Sequence, residues 1–318
     1  MTTKTLDPAT KSSFRALEWR QFITRFHLAI VPFLAIVAPL GLILAVPLRL
    51  HGLSHVFDIW PSCLVLFLCA VYSRLRPLPR MIETTELALL SLLVLAVLTE
   101  LTLLTARSRY GLVDAQLSAA DAAFHFSTGY FVRSVAKFPL LARFLQICYQ
   151  LAIPMISLSV IIPPILGHAN ASRRSILAIV LAAIVTVSIF WFLPAAGPWT
   201  VQGFQPTIEQ SAVTNYLSLL KTHAPFTTDC KTTAIISFPS FHVVLAIVAA
   251  AAIGSIRVLR IAAWTLAALI CISTITTGWH YGVDVVGGLI IAWASIAVAG
   301  WIVQEPASAT SRPGNSLP

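Results

Sequence analysis

The chain is dominated by long apolar runs, which are separated by shorter segments rich in basic and polar residues. A helix needs about 20 apolar residues to cross the roughly 30 Å hydrocarbon core of a bilayer. Asp58 and Pro61 weaken the second run, and the sixth run is short. The pattern predicts an all-α, polytopic transmembrane helical bundle of about six to eight spans. Its eight candidate spans are Leu28–Leu48, Val56–Ser73, Leu87–Ala106, Phe144–Leu166, Ser175–Pro194, Phe241–Ile256, Ile261–Thr277 and Val285–Val303.

Composition supports this interpretation. Hydrophobic residues make up 58% and charged residues 10% of the 318 residues, whereas soluble domains have about 45–50% apolar and about 25% charged residues. So few charges cannot cover a surface that faces water, which excludes a soluble globule. The net charge of +9 comes from short basic clusters rather than a continuous basic face, so we expect no nucleic acid partner. The five cysteines lack metal-ligand spacing.

The distribution of Lys and Arg predicts the orientation, because basic residues are retained on the cytoplasmic side. With the N-terminus inside, the inner segments hold 13 Lys and Arg residues and the outer segments hold 8. The basic first 25 residues precede an apolar run that is too long for a signal peptide and lacks a cleavage site, so we expect the first span to be retained. We expect both termini in the cytoplasm of a bacterial inner membrane, since no eukaryotic targeting signal is present.

Three regions are predicted along the chain. Residues 1–106 form an N-terminal membrane region with a basic tail and about three spans, residues 107–303 form a second membrane domain, and residues 304–318 have the composition of a disordered tail. Two outer connections are long. Residues 107–143 predict one or two interfacial amphipathic helices, and residues 195–240 form the largest polar insertion.

Three ionisable side chains stand out in the last third of the chain. Between Thr232 and Gln304 there is one carboxylate, Asp284, and there are two histidines, His242 and His280. Ionisable groups at membrane depth are costly and indicate function. In the predicted topology all three lie at the outer ends of consecutive spans, so we expect them to meet on one membrane face.

The spacing of these residues predicts a phosphate site. His280 and Asp284 are four residues apart, so one helical turn would let the carboxylate hold a ring N–H of the imidazole. Ser240 is predicted to cap the sixth span. The free N–H groups that follow, beginning with Phe241, and the positive end of the helix dipole would bind an anion beside His242.

Two segments resemble a known family. Phe-Pro-Ser-Phe-His at 238–242 and Gly-Trp-His-Tyr-Gly-Val-Asp-Val-Val-Gly-Gly at 278–288 are similar to the second and third signature motifs of the type 2 phosphatidic acid phosphatase superfamily. Within it, the chain most resembles the branch that includes the fungal inositol phosphorylceramide synthases. The similarity covers about residues 107–303, with weaker agreement at Asp114 and Asp121, and leaves the first 106 residues outside.

The resemblance implies metal-independent phosphoryl transfer through a phosphohistidine, with no cofactor. It implies that His280 attacks phosphorus, that Asp284 orients and charges this imidazole, and that His242 protonates the leaving oxygen. The substrate would be a membrane lipid phosphate or phosphodiester, and the acceptor would be water or an alcohol. The identity of the lipid, the choice between hydrolysis and headgroup transfer, and the oligomeric state stay open.

The chain departs from the family in its cations. The first motif of the family is Lys followed after six residues by Arg-Pro, and Arg76-Pro77 lacks this Lys. In the third motif Thr274 stands where many members have Arg. Phosphoryl transfer needs positive charge for the equatorial oxygens. We expect substitutes from the outer connections, with Lys231 as the first candidate phosphate ligand and then Arg133, Lys137 and Lys221.

Two other classes of function are compatible with the same residues. Two histidines and one carboxylate are also the ligand set of a facial metal site, which would make the chain a metal-dependent membrane enzyme. Alternatively, these groups could relay protons in a non-catalytic transporter or scaffold. Sensitivity to a chelator separates the metal enzyme from phosphohistidine chemistry.

Overall fold

The computed structural model describes residues 53–75, 78–222 and 235–303, together with Ala35. Within these residues the chain forms helices and loops and no strand, which confirms the predicted all-α membrane bundle. A short 3-10 turn covers Pro198–Thr200. The α-helices of the described part are α1 (Leu53–Leu75), α2 (Pro79–Thr105), α3 (Asp114–Ala123), α4 (Thr128–Ala136), α5 (Pro139–Gln150), α6 (Ala152–Ile165), α7 (Ala169–Phe192), α8 (Ile208–Lys221), α9 (Phe241–Ile253), α10 (Arg260–Thr276) and α11 (Gly282–Ile302).

The predicted spans coincide with helices wherever the structure describes them. Helices α2, α7 and α11 are long and apolar enough to cross a membrane. Helices α5 and α6 meet at a bend of 42° and make a fourth span if they are counted as one broken helix. Helices α9 and α10 are apolar but have only 13 and 17 residues. The predicted first span Leu28–Leu48 and the tail 304–318 lie outside the described residues.

Helix α9 is the centre of the bundle. It is apolar on all sides, which is typical of a helix that other helices surround, and ten of its thirteen residues are buried. Helices α6, α7, α10 and α11 pack against it. The N-terminal end of α9 carries Ser240 and His242, so the packing of four helices fixes where these two side chains lie.

Close contact between α9 and α11 depends on a glycine. A Cβ atom added at Gly288 would lie 2.5 Å from the carbonyl oxygen of Ser240 and 3.0 Å from Cβ of Val243. Glycine therefore lets the first turns of the two helices approach, as small residues do at interfaces between membrane helices. This approach brings the turn that precedes α11, with His280, next to the start of α9.

The two long outer connections are partly helical, as predicted for the first of them. Residues 107–143 contain α3 and α4, and the side chain of Ser127 caps α4 by accepting a hydrogen bond from the N–H of Tyr130. Residues 195–240 contain the 3-10 turn and α8, which begins with a capping box formed by Thr207 and Gln210. Lys231 and the Arg76-Pro77 pair lie outside the described residues.

Candidate active site

His280 lies in the tight turn between α10 and α11. The N–H groups of His280 and Trp279 both donate to the carbonyl oxygen of Thr274, at 3.1 Å each. The turn needs Gly278, whose φ of +79° is in the left-handed region that favours glycine. From α4, the hydroxyl of Thr128 donates to the carbonyl oxygen of His280 at 3.0 Å. Two separate elements, α10 and α4, therefore hold the backbone of this histidine.

A backbone carbonyl group determines which ring nitrogen of His280 carries the proton. Nδ1 of His280 lies 2.8 Å from the carbonyl oxygen of Ser237 and 3.4 Å from Oδ2 of Asp284. A carbonyl oxygen can only accept, so Nδ1 carries the proton and the lone pair of a neutral ring is on Nε2. The carboxylate was expected to hold this N–H. It does contact Nδ1, but the shorter bond goes to Ser237.

Asp284 is fully buried behind His280. Its Oδ2 atom accepts hydrogen bonds from the N–H of Tyr281 at 2.8 Å and from the hydroxyl of Ser237 at 3.4 Å. The first of these bonds caps the start of α11. Oδ1 of Asp284 is buried and has no hydrogen-bond partner in the described part of the chain. The carboxylate is therefore fixed in a position from which it can stabilise positive charge on the imidazole.

His242 reaches the same place from the first turn of α9. Its ring stacks on Tyr149 of α5 with a centroid distance of 4.4 Å, and the hydroxyl of Tyr149 lies 3.4 Å from Nδ1 of His242. Tyr149 in turn stacks on Trp279 at 5.8 Å. The ring centroids of His242 and His280 are 5.9 Å apart. The sequence prediction that these two histidines meet describes the structure correctly.

Both histidines line one small cavity, and Asp284 does not. The cavity has a volume of about 10 Å³, which is enough for about one water molecule. A phosphate group therefore needs the walls to separate slightly when it binds. The residues that line the cavity are Tyr149, Ala196, Ile235, Ile236, Ser237, His242, Trp279 and His280.

The predicted phosphate ligands Ser240 and Phe241 lie at the start of α9. Ser240 is fully buried, and its side chain caps the helix by accepting from the N–H of Val243 at 3.4 Å. In the part of the chain that the structure describes, nothing accepts a hydrogen bond from the N–H groups of Phe241 and His242. Such N–H groups at the start of a helix can bind an anion. Of the three residues, His242 lines the histidine cavity, and Ser240 and Phe241 do not.

Of the three candidate cations that the structure describes, two are hydrogen-bonded to backbone carbonyl groups and the third is exposed. The ammonium group of Lys221 donates to the carbonyl oxygens of Ser108 and Tyr110, at 3.2 and 2.7 Å. Arg133 donates to the carbonyl oxygen of Gln202 at 3.2 Å, and Lys137 is exposed. The hydroxyl of Thr274, in the position of the family arginine, donates to its own helix at the carbonyl oxygen of Cys271.

Arg107 is a buried cation of this region, although the sequence did not indicate it as a phosphate ligand. It is only 5% exposed, and its Nε and Nη2 atoms have no hydrogen-bond partner among the described residues. It follows Ala106, which packs in one apolar cluster with Ala196 and Ile235, and both of these line the histidine cavity. Its sequence context, at the end of a predicted span, gives no sign of this burial.

Two carboxylates of α3 hold the backbone around the histidines. Asp114 accepts from the N–H groups of Ala196 and Gly197, at 3.0 and 2.8 Å, and from the hydroxyl of Tyr281 at 3.0 Å. Asp121 accepts from the first two N–H groups of α11, Gly282 and Val283, at 2.8 and 2.9 Å. Sequence reasoning did not assign these carboxylates a role, although their spacing of seven residues places them on one face of a helix.

Burial also affects the charge of the candidate nucleophile. His280 lies outside the spanning helices, in the turn before α11, and burial lowers its pKa to about 4. The hydrogen bond to Ser237 acts in the opposite direction and is the smaller effect. The imidazole is therefore neutral at ordinary pH, as a nucleophile must be.

Residues 115–298 match the family described as the PAP2 superfamily, the type 2 phosphatidic acid phosphatases. This match covers more than half of the 318 residues. The chain belongs to the PAP2 superfamily. Members are phosphatases or phosphotransferases, which makes this PAP2 protein a membrane enzyme of that broad type. No curated protein and no solved structure matches the chain at a significant level.

The matched segment contains both histidines, Asp284 and Asp121, whereas Asp114, α1 and α2 lie before it. Among the described residues there is no group of three or more His, Cys, Asp and Glu side chains that could hold a metal ion. Asp284 is hydrogen-bonded to Nδ1 of His280 and is absent from the cavity wall, so the three predicted site residues do not converge on one point.

Proposed function

We propose that this PAP2 protein is a metal-independent phosphatase or phosphotransferase that acts on a membrane lipid phosphate or phosphodiester through a phosphohistidine. The observation that carries the proposal is the pair of imidazoles on one cavity, with the Nδ1 proton of His280 held by Ser237. This arrangement leaves Nε2 of His280 as a nucleophile. His242 lines the same cavity, where it acts as the proton donor in the first step and as the proton acceptor in the second step.

In the first step, Nε2 of His280 attacks phosphorus, and the bond from phosphorus to the leaving oxygen breaks. His242 gives a proton to that oxygen, so that the leaving group departs as a neutral alcohol. The new N–P bond places positive charge on the His280 ring. Asp284, close to Nδ1 at 3.4 Å, stabilises this charge.

In the second step, the oxygen of water or of an alcohol attacks phosphorus, and the N–P bond breaks. His242 takes the proton of the attacking oxygen and returns to its starting form. His280 becomes free and neutral again. The choice of acceptor decides whether the reaction is hydrolysis or headgroup transfer. The resemblance of the two motifs to the inositol phosphorylceramide synthase branch favours headgroup transfer as the finer assignment.

The phosphate oxygens need donors in both steps. The free N–H groups of Phe241 and His242 at the start of α9 are suitable, with Ser240 as the cap that keeps them in place. Lys231 remains a proposed cation from the sequence. We add Arg107, which follows a residue of the neighbouring cluster, because the two buried guanidinium nitrogens that have no partner among the described residues would be compensated by a bound anion.

The proposed location is an inner membrane of a bacterium, with both termini in the cytoplasm and the site at the outer face. The excess of Lys and Arg in the predicted inner segments supports this orientation. A lipid substrate would then enter sideways from the outer leaflet. Water or a polar alcohol would reach the histidines from the outer aqueous phase.

The decisive experiment measures release of phosphate from phosphatidate and of headgroup from phosphatidylinositol by the detergent-purified full chain. Each assay is run with EDTA, with vanadate as a mimic of five-coordinate phosphorus, and with His280→Ala. We expect activity that survives EDTA, falls with vanadate and disappears in the variant. His168→Ala is the matched control, because His168 is exposed at the start of α7 and does not line the histidine cavity.

Two results would contradict the proposal. Loss of activity with EDTA and recovery with a divalent metal ion would favour the metal-dependent enzyme. Undiminished activity of His280→Ala would exclude this histidine as the nucleophile. Denaturing gels of protein incubated with labelled substrate separate the cases further, since a phosphohistidine is labile in acid and stable in base.

A further inference from the structure

A second and much larger cavity lies beside the histidine cavity. Its volume is about 350 Å³, and its walls come from α2, α6, α7 and the first turns of α9, together with Ile235 and Ile236. We call it the chamber. Helix α2 contributes one side of the chamber through a stripe that contains Ser91, Leu95, Leu98 and Thr102.

Among the side chains of the described residues that line the chamber, none offers a free hydrogen-bond donor apart from the ring of His242. Its four hydroxyl groups each donate to a carbonyl oxygen of their own helix: Ser91 at 2.8 Å, Thr99 at 3.0 Å, Thr102 at 2.9 Å and Ser157 at 3.0 Å. Among the described residues that line it, none is Asp, Glu, Lys or Arg. Such walls suit a hydrocarbon ligand and not a sugar or a charged group.

The chamber and the histidine cavity share a wall. Ile235, Ile236 and His242 line both spaces. A molecule with one polar end and one apolar end can therefore extend from the histidines into the chamber past the edge of this wall. The polar end would be at His280, and the apolar end would run along α2.

The length of the chamber agrees with the thickness of one leaflet. Ser91 and Thr102 are eleven residues apart on α2, which corresponds to a rise of about 16 Å. Half of the hydrocarbon core is about 15 Å. Thr102 lies near the end of α2 that leads to the histidine region, so Ser91 marks the deep end. A lipid chain in the chamber would thus keep the depth and direction that it has in a leaflet.

We propose that the chamber binds a hydrocarbon chain of the lipid substrate and that α2 selects the length and shape of that chain. The inference rests on the proposed function for the chemistry at the headgroup. Helix α2 lies before the residues that match the family, so this wall is contributed by a part of the chain that the family description does not cover. The specificity of this enzyme for its lipid is therefore assigned to Ser91, Leu95 and Leu98.

Selection by the chamber is steric. A chain that moves from the bilayer into the chamber gains little hydrophobic free energy, because lipid tails are already as apolar as leucine side chains. What the chamber can reject is a chain that is too long or too branched for its walls, since packed interiors do not accept extra volume without strain. The deep end at Ser91 sets the limit on length.

A binding test comes first and does not need catalysis. The probe is a phosphatidate with a photoreactive diazirine at the end of one palmitoyl chain, added to His280→Ala protein in phosphatidylcholine nanodiscs. After irradiation, adducts are mapped by mass spectrometry. We expect adducts at the deep end, on Ser91, Val160 and Ile176, and we expect unlabelled phosphatidate to compete them away. Adducts at equal or higher yield on the exposed Leu93, without competition, would overturn the proposal.

An activity test then addresses selection by α2. Ser91→Trp fills the deep end, and Leu93→Trp is the control, because Leu93 is on the same helix but 43% exposed and outside the chamber. We expect Ser91→Trp to lower kcat/KM about tenfold more for dipalmitoyl phosphatidate than for dioctanoyl phosphatidate, because only the longer chain reaches the deep end. Equal loss for both lipids, or the same shift in Leu93→Trp, would contradict the proposal. If the unsubstituted protein turns over neither lipid, the proposed function fails. The adduct map then still tests whether the chamber binds a hydrocarbon chain.

Discussion

The carbonyl oxygen of Ser237 lies 2.8 Å from Nδ1 of His280, closer than the carboxylate of Asp284 at 3.4 Å. Nδ1 must carry the proton in this arrangement, whatever the charge of Asp284, because a carbonyl oxygen has no proton to give. The orientation of the imidazole and its charge compensation thus come from two different groups. The roles of these groups can be separated by substitution.

Asp284→Asn should retain the reactive tautomer of His280 and lose only the stabilisation of the charged ring. We expect kcat to fall about 100-fold, less than the roughly 10⁴-fold loss that follows when a partner carboxylate also sets the tautomer of its histidine, with the histidine still phosphorylated by substrate. Steady-state kinetics and acid-labile labelling of the protein check this. A fall as large as that of His280→Ala, with no labelling, would show that the carboxylate and not Ser237 sets the proton position.

Gly288→Ala should disturb both stability and activity. The new Cβ would lie 2.5 Å from the carbonyl oxygen of Ser240, and overpacking of this kind costs about 1–3 kcal/mol. Separation of α9 from α11 would also move His242 away from His280. Gly300→Ala is the control on the same helix, because its Cβ would meet nothing within 4 Å. Thermal unfolding in detergent and kcat should both fall for the first variant and not for the second.

Asp121→Asn should weaken the start of α11. An asparagine side chain can accept from only one of the N–H groups of Gly282 and Val283 at the present geometry, and a buried donor left without a partner costs about 1–3 kcal/mol. We expect a lower Tm together with a lower kcat, since the turn that holds His280 becomes looser. Glu209→Gln, in the first turn of α8, is the matched control. An unchanged kcat would refute a positioning role for Asp121.

Arg107→Gln tests the proposed contribution of a buried cation to phosphate binding. Removal of one charged donor should raise KM about tenfold with little change in kcat, and vanadate should inhibit more weakly. Arg107→Lys, which keeps the charge, should recover part of the affinity. Arg109→Gln provides the comparison, because Arg109 is exposed. Equal kinetics of both glutamine variants would exclude Arg107 from the site.

The pH dependence of kcat/KM should report the buried state of His280. Only the neutral ring is nucleophilic, and burial lowers its pKa to about 4, whereas an ordinary histidine has a pKa of about 6.5. Protonation should therefore reduce the rate only as the pH falls towards 4. After correction for ionisation of the substrate, we expect protonation of His280 to lower kcat/KM less than twofold between pH 7 and pH 5. A tenfold loss over that interval would contradict it.

Much of the architecture could be predicted from local pattern. The predicted spans coincide with helices wherever the structure describes them, because a bilayer requires apolar helices. Of the described helices, three, or four with the bent pair, are long and apolar enough to cross a membrane. The cap at Ser240 depends on residues within one turn of helix. The contact of His280 with Asp284 was predicted from one turn of helix, but His280 lies before α11, and Asp284 reaches its ring as the residue that caps the start of that helix.

Other parts of the site come from residues far apart in the chain. Ser237 is 43 residues from His280, Tyr149 is 93 residues from His242, and Asp121 is 161 residues from Gly282. No periodicity in the sequence reports such pairs. They arise when α9 is surrounded by four helices and Gly288 lets α11 cross it closely.

Hydrophobicity and spacing within a few residues were enough to predict a helical membrane protein in which two histidines and one aspartate lie at the ends of neighbouring helices. The bilayer and the helix geometry convert these local properties directly into structure. Three features are visible only in the folded chain: the group that holds the His280 proton, the burial of two Arg107 nitrogens that have no partner among the described residues, and the chamber that α2 closes beside His242. Each of these depends on how separate helices pack, and packing depends on the whole set of side chains at once.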